Sequence, residues 1–167
     1  NWWLVDQLLC RNSMHPRNIP VDGFSSDDFS KYHPGGALGK RLYLQCGSIA
    51  EQNAKPTVSS SSPWREVILT ITKSRLGATA VVDENGKVIG IVTDGDIRRM
   101  LENHDTFDHL TAEQIMGKHP ITAETDTMAT EVAAIMQEKK ITQIIITQQT
   151  IYFGMVHLHD LYKEGIL

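Results

Sequence analysis

Cysteine is scarce in this chain of 167 residues, which contains only Cys10 and Cys46. Two cysteines cannot by themselves form a disulfide framework or a metal ligand set, and they are typical of inert thiols in a reducing cytosol. Long apolar runs are also missing, because none approaches the roughly 20 residues of a membrane span. The first residues lack the basic stretch of a signal peptide. We therefore expect a cytoplasmic protein with no membrane partner.

Basic residues are not in excess, since 16 lysines and arginines stand against 20 aspartates and glutamates, a formal net charge of −4. Proteins that bind the phosphate backbone of nucleic acids need a basic surface, so we expect no nucleic-acid partner. A small pocket for a phosphorylated metabolite stays possible. The sequence also begins at Asn1 without a methionine. We expect it to be a piece of a longer protein.

The chain does contain an internal repeat. Residues 90–97 (GIVTDGDI) recur at 154–161 (GMVHLHDL), 64 residues later. The same spacing relates the apolar run 80–82 to 144–146. We therefore predict two similar units that keep one offset without a gap.

Each copy has the pattern of an extended segment, an amphipathic helix, a strand, a turn, a second strand and a short helix. Asn85-Gly86 between two β-rich runs indicates a hairpin, whereas residues 148–150 lack the glycine and predict a looser turn. Ser62 and Asp126 are the expected N-caps of the two long helices. The predicted helices are about 63–75, 96–103, 127–139 and 160–165, and the predicted strands about 78–83, 87–93, 142–147 and 151–157.

The tandem layout, with Gly-φ-φ-Thr-x-x-Asp closing each unit, resembles a CBS-domain pair, also called a Bateman module. The first unit matches at residues 90–96, whereas the second has His157 in place of the threonine and keeps Asp160. The resemblance implies an α/β (α+β) fold of two β-α-β-β-α units packed about a pseudo-twofold axis. One unit is too small to bury both faces of its strands alone. The predicted domains are a leading segment at 1–44, unit 1 at 45–105 and unit 2 at 106–167.

The closing motif places polar residues where a strand turns into a helix. Backbone N–H groups and the helix dipole favour an anion there. The Thr93 hydroxyl can bond a phosphate oxygen, and the Asp96 carboxylate can accept hydrogen bonds from ribose hydroxyls. Since CBS pairs generally bind adenosine or other nucleotide derivatives between their units, the resemblance implies such a site here. The candidate ligand-binding residues are Thr93, Asp96, Arg98, Arg99, His157 and Asp160.

Simpler roles explain the same side chains. Asp96 and Asp160 are also good N-caps, and the two arginines also fit a solvated helix face. His157 and His159 beside Asp160 raise the possibility of a zinc site. The repeat, however, gives His157 the role of Thr93, and no further ligand is visible nearby. We expect no metal and no cofactor.

The segment before the repeats carries a second motif, DFSKYHPGGALGKRL at residues 28–42. Together with the pair that follows, it resembles the D-arabinose 5-phosphate isomerases, in which a sugar isomerase (SIS) domain precedes the CBS pair. These enzymes interconvert D-ribulose 5-phosphate and D-arabinose 5-phosphate and supply 3-deoxy-octulosonate (Kdo) for lipopolysaccharide or capsule. The resemblance implies that residues 1–44 are the tail of the SIS domain and that His33 is catalytic in the full-length parent. The family's remaining catalytic residues have no match here, so we expect this chain alone to be inactive.

Three functions stay open. In the leading hypothesis the pair is a regulatory module that senses a nucleotide, with CMP-Kdo, AMP or ATP as candidates. In the alternative it is an assembly module that dimerises with a second pair, within a parent that is a homotetramer, and binds nothing small. A complete small enzyme would have only His33 and the His157/His159 cluster for its chemistry, which disfavours it.

Overall fold

A computed structural model describes residues 41–103 and 106–167. His33, Cys10 and most of the predicted leading segment therefore lie outside the described residues. Within the described part, no helix is long and apolar enough to cross a membrane. The elements, in chain order, are α1 (Cys46–Gln52), β1 (Thr57–Ser59), α2 (Trp64–Ser74), β2 (Ala78–Val82), β3 (Val88–Thr93), α3 (Asp94–Asn103), α4 (Ala112–Ile115), β4 (Gly117–Lys118), β5 (Thr122–Glu124), α5 (Ala129–Lys139), β6 (Gln143–Gln148), β7 (Ile151–His157) and α6 (Leu158–Lys163).

Two mixed sheets carry the fold, with strand orders β1-β2-β3-β4 and β5-β6-β7. In each unit the first strand is parallel to the second, and the second forms an antiparallel hairpin with the third. The central strands are buried on both faces, since residues 78–81 and 144–146 are fully inaccessible. The predicted α/β class and the β-α-β-β-α order of each unit are confirmed.

The spacing of the repeat changes inside the hairpin, so the predicted ungapped offset of 64 is wrong for the first half of each unit. β1 pairs with β2 at Thr57 and Ala80, whereas β5 pairs with β6 at Thr122 and Ile145. Both partners shift by 65 residues (122 − 57 and 145 − 80). β3 and β7 keep the offset of 64. The second hairpin is therefore one residue shorter, and both residues of its turn, 149–150, have positive φ.

The predicted N-caps Ser62 and Asp126 are also wrong. The residues that precede the two long helices are Pro63 and Met128, and neither makes a side-chain capping bond. Pro63 suits this place because its ring fixes φ near the helical value. The Ser62 hydroxyl instead accepts a hydrogen bond from the Ser59 N–H at 3.3 Å. Ser62 lies one residue further from the helix and stabilises the preceding turn instead of capping the helix.

The leading helix of each repeat packs on the opposite unit. α1 buries Ile49 and Ala50 in the core of unit 2, beside Val132 and Ile146. α4 packs in the core of unit 1, and β4 extends the first sheet through β3. A further cluster joins the two sheets directly and contains Ala78, Ala80, Ile145 and Met155. The two units are therefore joined by the exchange of these helices and by a third cluster between their sheets.

Cys46 on α1 is a buried free thiol, as expected for an inert cysteine. Its Sγ donates to the Glu124 carbonyl oxygen at 3.1 Å. Burial raises the pKa of Cys46 to about 11. The thiol is therefore neutral at physiological pH, and the thiolate needed for nucleophilic or metal chemistry is absent.

Candidate functional site

A cleft of about 590 Å³ lies between the two units, and we call it the first cleft. Unit 1 lines it with Thr93, Gly95 and Arg99, at the junction of β3 and α3. Unit 2 lines it with Ile121 and with residues 140–143, which run from the end of α5 into the first residue of β6. Its volume lies within the usual range for small-molecule sites. Any ligand in it contacts both units.

The end of β3 is held by a hydrogen-bonded turn. Asp96 Oδ2 accepts from the Thr93 N–H at 2.8 Å and from the Thr93 hydroxyl at 2.6 Å. The Asp96 N–H in turn donates to Thr93 Oγ1 at 3.3 Å. Asp96 Oδ1 accepts from the Arg99 guanidinium. Because the Thr93 proton points to Asp96 and one lone pair accepts from the Asp96 N–H, the hydroxyl has one lone pair left for a ligand, which suits a ligand hydroxyl or amino group.

The structure thus divides the candidate residues of unit 1. Thr93 and Arg99 line the first cleft, whereas the Asp96 side chain sits behind them and is 14% exposed. Arg98 is exposed and does not line the cleft, in keeping with a solvated helix face. Asp96 is therefore placed to position Thr93 and Arg99.

Residues 140–143 of unit 2 were not among the candidates. Residues 140–142 connect α5 to β6 and Gln143 begins β6, whereas the predicted motif lies at the end of the hairpin. Lys140 has a positive φ of 54° and is exposed at the end of α5. Its equivalent in unit 1 at the offset of 65 is Arg75, with φ 58°, at the end of α2. The sequence did contain one signal for them, a basic residue at the end of each long helix.

A second cleft of about 380 Å³ repeats this arrangement with the units exchanged. Arg75 of unit 1 and His157 of unit 2 line it, in the places that Lys140 and Thr93 occupy in the first cleft. Gly77, together with the side chains of Asp94 and Gln143, lines both clefts.

Gly77 forms the narrow part of this shared wall. It has φ +67°, and an added Cβ would lie 3.0 Å from Gln143 Nε2 and 3.2 Å from Asp94 Oδ2. A side chain here would be strained by its backbone and would press on both polar groups. The glycine therefore allows the two clefts to approach each other closely.

The turn at the end of β7 is closed differently from that at the end of β3. His157 Nδ1 accepts from the His159 N–H at 3.0 Å, so the imidazole takes the capping place of the threonine. Asp160 Oδ2 accepts from the His157 N–H at 2.9 Å and from Asn53 Nδ2 at 2.7 Å. Asn53 follows α1 and also donates to the Met155 carbonyl oxygen at 3.1 Å. The Asp160 carboxylate is thus tied to α1 and lies in a hollow of about 60 Å³.

The zinc hypothesis gains no support from this arrangement. Within residues 41–103 and 106–167, no group of three or more histidine, cysteine, aspartate or glutamate side chains is placed to hold a metal ion. His157 Nδ1 and Asp160 Oδ2 already accept hydrogen bonds from neighbouring groups. Both side chains belong to the capping box of α6, in which His157 is the N-cap and Asp160, predicted as the N-cap, is the third helical residue.

Burial lowers the pKa of His157, Asp160 acts in the opposite direction, and His159 adds to the lowering. A protonated Nδ1 could not accept the His159 N–H, so protonation of His157 also breaks the cap.

His157→Thr is therefore expected to make the chain less sensitive to mild acid. As the pH falls below about 6.5, the unfolded histidine takes up a proton before the folded one, so the wild-type chain loses stability. Threonine does not titrate, and it is the residue that unit 1 has at the equivalent position, Thr93. The test compares thermal unfolding midpoints at pH 7.5 and pH 5.0, with His109→Gln, at an exposed histidine, as the control. An equal loss of stability in wild type and His157→Thr would rule out this role of His157.

Comparison with known proteins gives a consistent result. The family model of the CBS domain matches residues 49–103 and 112–166. Among curated proteins, the arabinose 5-phosphate isomerase KdsD of Salmonella typhi is 34% identical over 150 residues, which is 89% of this chain and 46% of that protein. The uncharacterized protein RP505 of Rickettsia prowazekii is 38% identical over 144 residues, 86% of this chain and 44% of that protein. The chain spans less than half the length of these relatives.

Solved structures agree in fold. The CBS domain pair of protein MJ0100, solved with 5′-methylthioadenosine and S-adenosyl-L-methionine, is 26% identical and superposes with a TM-score of 0.61 over 72% of this chain and 94% of that one. The CBS domain protein PAE2072 of Pyrobaculum aerophilum, solved with AMP, is 18% identical and has a TM-score of 0.64 over 71% and 90% of the two chains. At that identity, the second comparison bears on the fold alone.

Proposed function

The chain belongs to the CBS domain family, and we propose that it is a regulatory pair that binds a nucleotide in the first cleft. The observation that carries this proposal is the lining of that cleft. The Thr93 hydroxyl, the N-terminal turn of α3 and the cations Arg99 and Lys140 line one cavity of about 590 Å³. A hydroxyl suits a ribose or base, and the helix N-terminus with two cations suits a phosphate.

A solved relative supports an adenosine derivative as the ligand class. The MJ0100 pair, at 26% identity, was solved with two adenosine derivatives. A ligand that touches both units changes the balance between their arrangements only if it binds one arrangement more tightly. We propose that nucleotide binding regulates an attached domain in this way. Our candidate ligands are CMP-Kdo, AMP and ATP.

We further propose that the parent protein is a D-arabinose 5-phosphate isomerase in which this pair follows a SIS domain. The support is the 34% identity to KdsD of Salmonella typhi over 89% of this chain, together with the motif at residues 28–42. In that parent, His33 is the proposed catalytic histidine. CMP-Kdo, an activated product of the pathway, would then close a feedback loop.

The assembly module is our second candidate function, and exposed apolar side chains on three helices favour it. Leu69 on α2, Leu101 on α3 and Tyr162 on α6 are 50% exposed or more. A contiguous apolar patch is typical of surfaces that pair with another chain, and this candidate requires the three side chains to contribute to one. Size-exclusion chromatography with light scattering tests this candidate, which requires a dimer of the 167-residue chain in the absence of ligand.

Isothermal titration calorimetry of the chain with AMP, ATP, CMP and CMP-Kdo tests the sensing proposal. Binding of at least one of them, with a matching rise in the thermal unfolding midpoint, is the expected result. No heat and no shift with any of the four at millimolar concentration would reject nucleotide sensing and leave the assembly module.

Asp96→Ala is expected to lower the affinity for that nucleotide at least tenfold. The substitution removes the acceptor that positions Thr93 and Arg99, and the loss of the cap costs about 1–2 kcal/mol of stability. Asp160→Ala is the matched control, because it removes the equivalent cap in unit 2 and leaves the first cleft intact. Both stability and affinity are measured for each variant. Undiminished affinity in Asp96→Ala would place the nucleotide outside the first cleft.

A further inference from the structure

Both long helices end on a cation in the left-handed conformation. Arg75 after α2 has φ 58°, and Lys140 after α5 has φ 54°. Glycine is the usual residue at this place, because a side chain makes the left-handed conformation unfavourable. Two equivalent positions therefore keep a strained, charged residue where glycine would be more stable.

Each of these cations lines a cleft opposite the turn of the other unit. Lys140 of unit 2 faces the cleft that contains Thr93 of unit 1, and Arg75 of unit 1 faces the cleft that contains His157 of unit 2. Backbone strain that is retained at a ligand cleft is a recognised sign of function.

The charge of the Lys140 side chain is available to a ligand in the first cleft. The other cation of the first cleft, Arg99, is engaged by Asp96. Among residues 41–103 and 106–167, no carboxylate forms an ion pair with Lys140. The carbonyl end of α5, from which Lys140 emerges, carries the negative pole of the helix dipole. An anionic ligand group placed beside it needs a compensating cation, and Lys140 supplies one.

The neighbouring lysine is placed differently. Lys139 forms an ion pair with Glu138, with Nζ and Oε1 2.8 Å apart, and it does not line the first cleft. Of the two adjacent lysines, the one with the unfavourable backbone conformation is the one that reaches the cleft.

We propose that Lys140 determines the specificity of the first cleft for ligands that carry a phosphate group. This inference rests on the proposed nucleotide site and names the part of the ligand that the site selects. The phosphate lies at Lys140 of unit 2, whose positive charge also offsets the negative charge of the Asp94 carboxylate in the lining of the same cleft. The base and sugar of the ligand do not depend on Lys140.

The test is a calorimetric titration of the 167-residue chain with AMP and adenosine, and with CMP and cytidine. The wild-type chain is expected to bind the better nucleotide at least tenfold more tightly than its nucleoside. Lys140→Gly removes most of this preference by weakening the nucleotide and leaving the nucleoside unchanged. The same substitution relieves the left-handed strain, so the unfolding midpoint rises by about 2–4 °C.

Two controls separate the backbone from the charge. Arg75→Gly relieves the same strain in the other unit and is expected to raise the unfolding midpoint without changing affinity at the first cleft. Lys139→Ala removes a positive charge one residue away and is expected to preserve the preference for the nucleotide.

Three results would contradict the inference. The first is that Lys140→Gly keeps the full preference for the nucleotide, or that Lys139→Ala loses as much of this preference as Lys140→Gly does. Lys140 then has no specific role, and the proposed nucleotide site is unaffected. If the wild-type chain binds nucleotide and nucleoside equally, the first cleft does not select phosphate. If it binds neither, the proposed function fails and this inference fails with it.

Discussion

Replacing Gly47 with alanine is expected to destabilise the chain by about 3 kcal/mol. An added Cβ would lie 2.7 Å from the Thr125 carbonyl oxygen and 3.0 Å from Thr125 Cβ. The obstacle is largely backbone, and it cannot withdraw without loss, because the Gly47 N–H donates to that same oxygen at 3.0 Å. The Cys46 N–H donates to the Thr127 carbonyl oxygen at 2.9 Å on the same side. α1 therefore has to lift away from unit 2.

The release of α1 has a second consequence, because Asn53 at its end holds Asp160. Gly47→Ala is therefore expected to weaken the cap of α6 as well as the packing of α1. Urea unfolding gives the stability change, and hydrogen exchange at the amides of α6 reports on the cap. The matched control is Ser48→Ala, at an exposed position of the same helix, which should change stability by less than about 0.5 kcal/mol. A stability change for Gly47→Ala as small as that of the control would mean that α1 is not held closely on unit 2.

The sequence predicted the secondary structure well wherever local chemistry decides it. The Asn85-Gly86 turn lies where the hairpin was expected, and the apolar runs form strands that are buried on both faces. The prediction of the repeat offset failed, because the loss of one residue leaves the pattern of apolar residues almost unchanged. The loss of a residue in the second hairpin shifts the register of β5 and β6, yet both Ile144 and Ile145 are apolar, so either offset looks acceptable.

The candidate site was predicted in part for a related physical reason. Thr93 and Asp96 belong to one turn, and their contact follows from a spacing of three residues at a helix start. Lys140 lies 47 residues beyond Thr93, and the two line one cleft only because the two units pack against each other. The exchange of α1 and α4 between the units has the same origin, since only tertiary packing decides which sheet a short helix covers. The interlocking of Asn53 with Asp160 could not be read from either repeat alone.

Ile145→Ala is the second substitution with a large expected effect, a loss of about 3–4 kcal/mol. Ile145 is fully buried in the cluster that joins the two sheets. Two of its neighbours there, Ala78 and Ala80, have side chains too short to fill the space that the isoleucine vacates. Because the cavity cannot collapse, the substitution loses both the transfer free energy of the removed groups and their packing contacts. Urea unfolding measures the change.

Ile151→Ala is the matched control, since it removes the same atoms from a side chain that is 42% exposed on the neighbouring strand, and we expect it to cost less than about 1 kcal/mol. The shape of the transition carries the further information. If the two units share one core, Ile145→Ala shifts a single cooperative transition, and nucleotide affinity falls with it because the first cleft is lined from both sides. If the variant instead unfolds in two separate steps, each unit is stable alone. A ligand that bridges them would then act by bringing two independent units together.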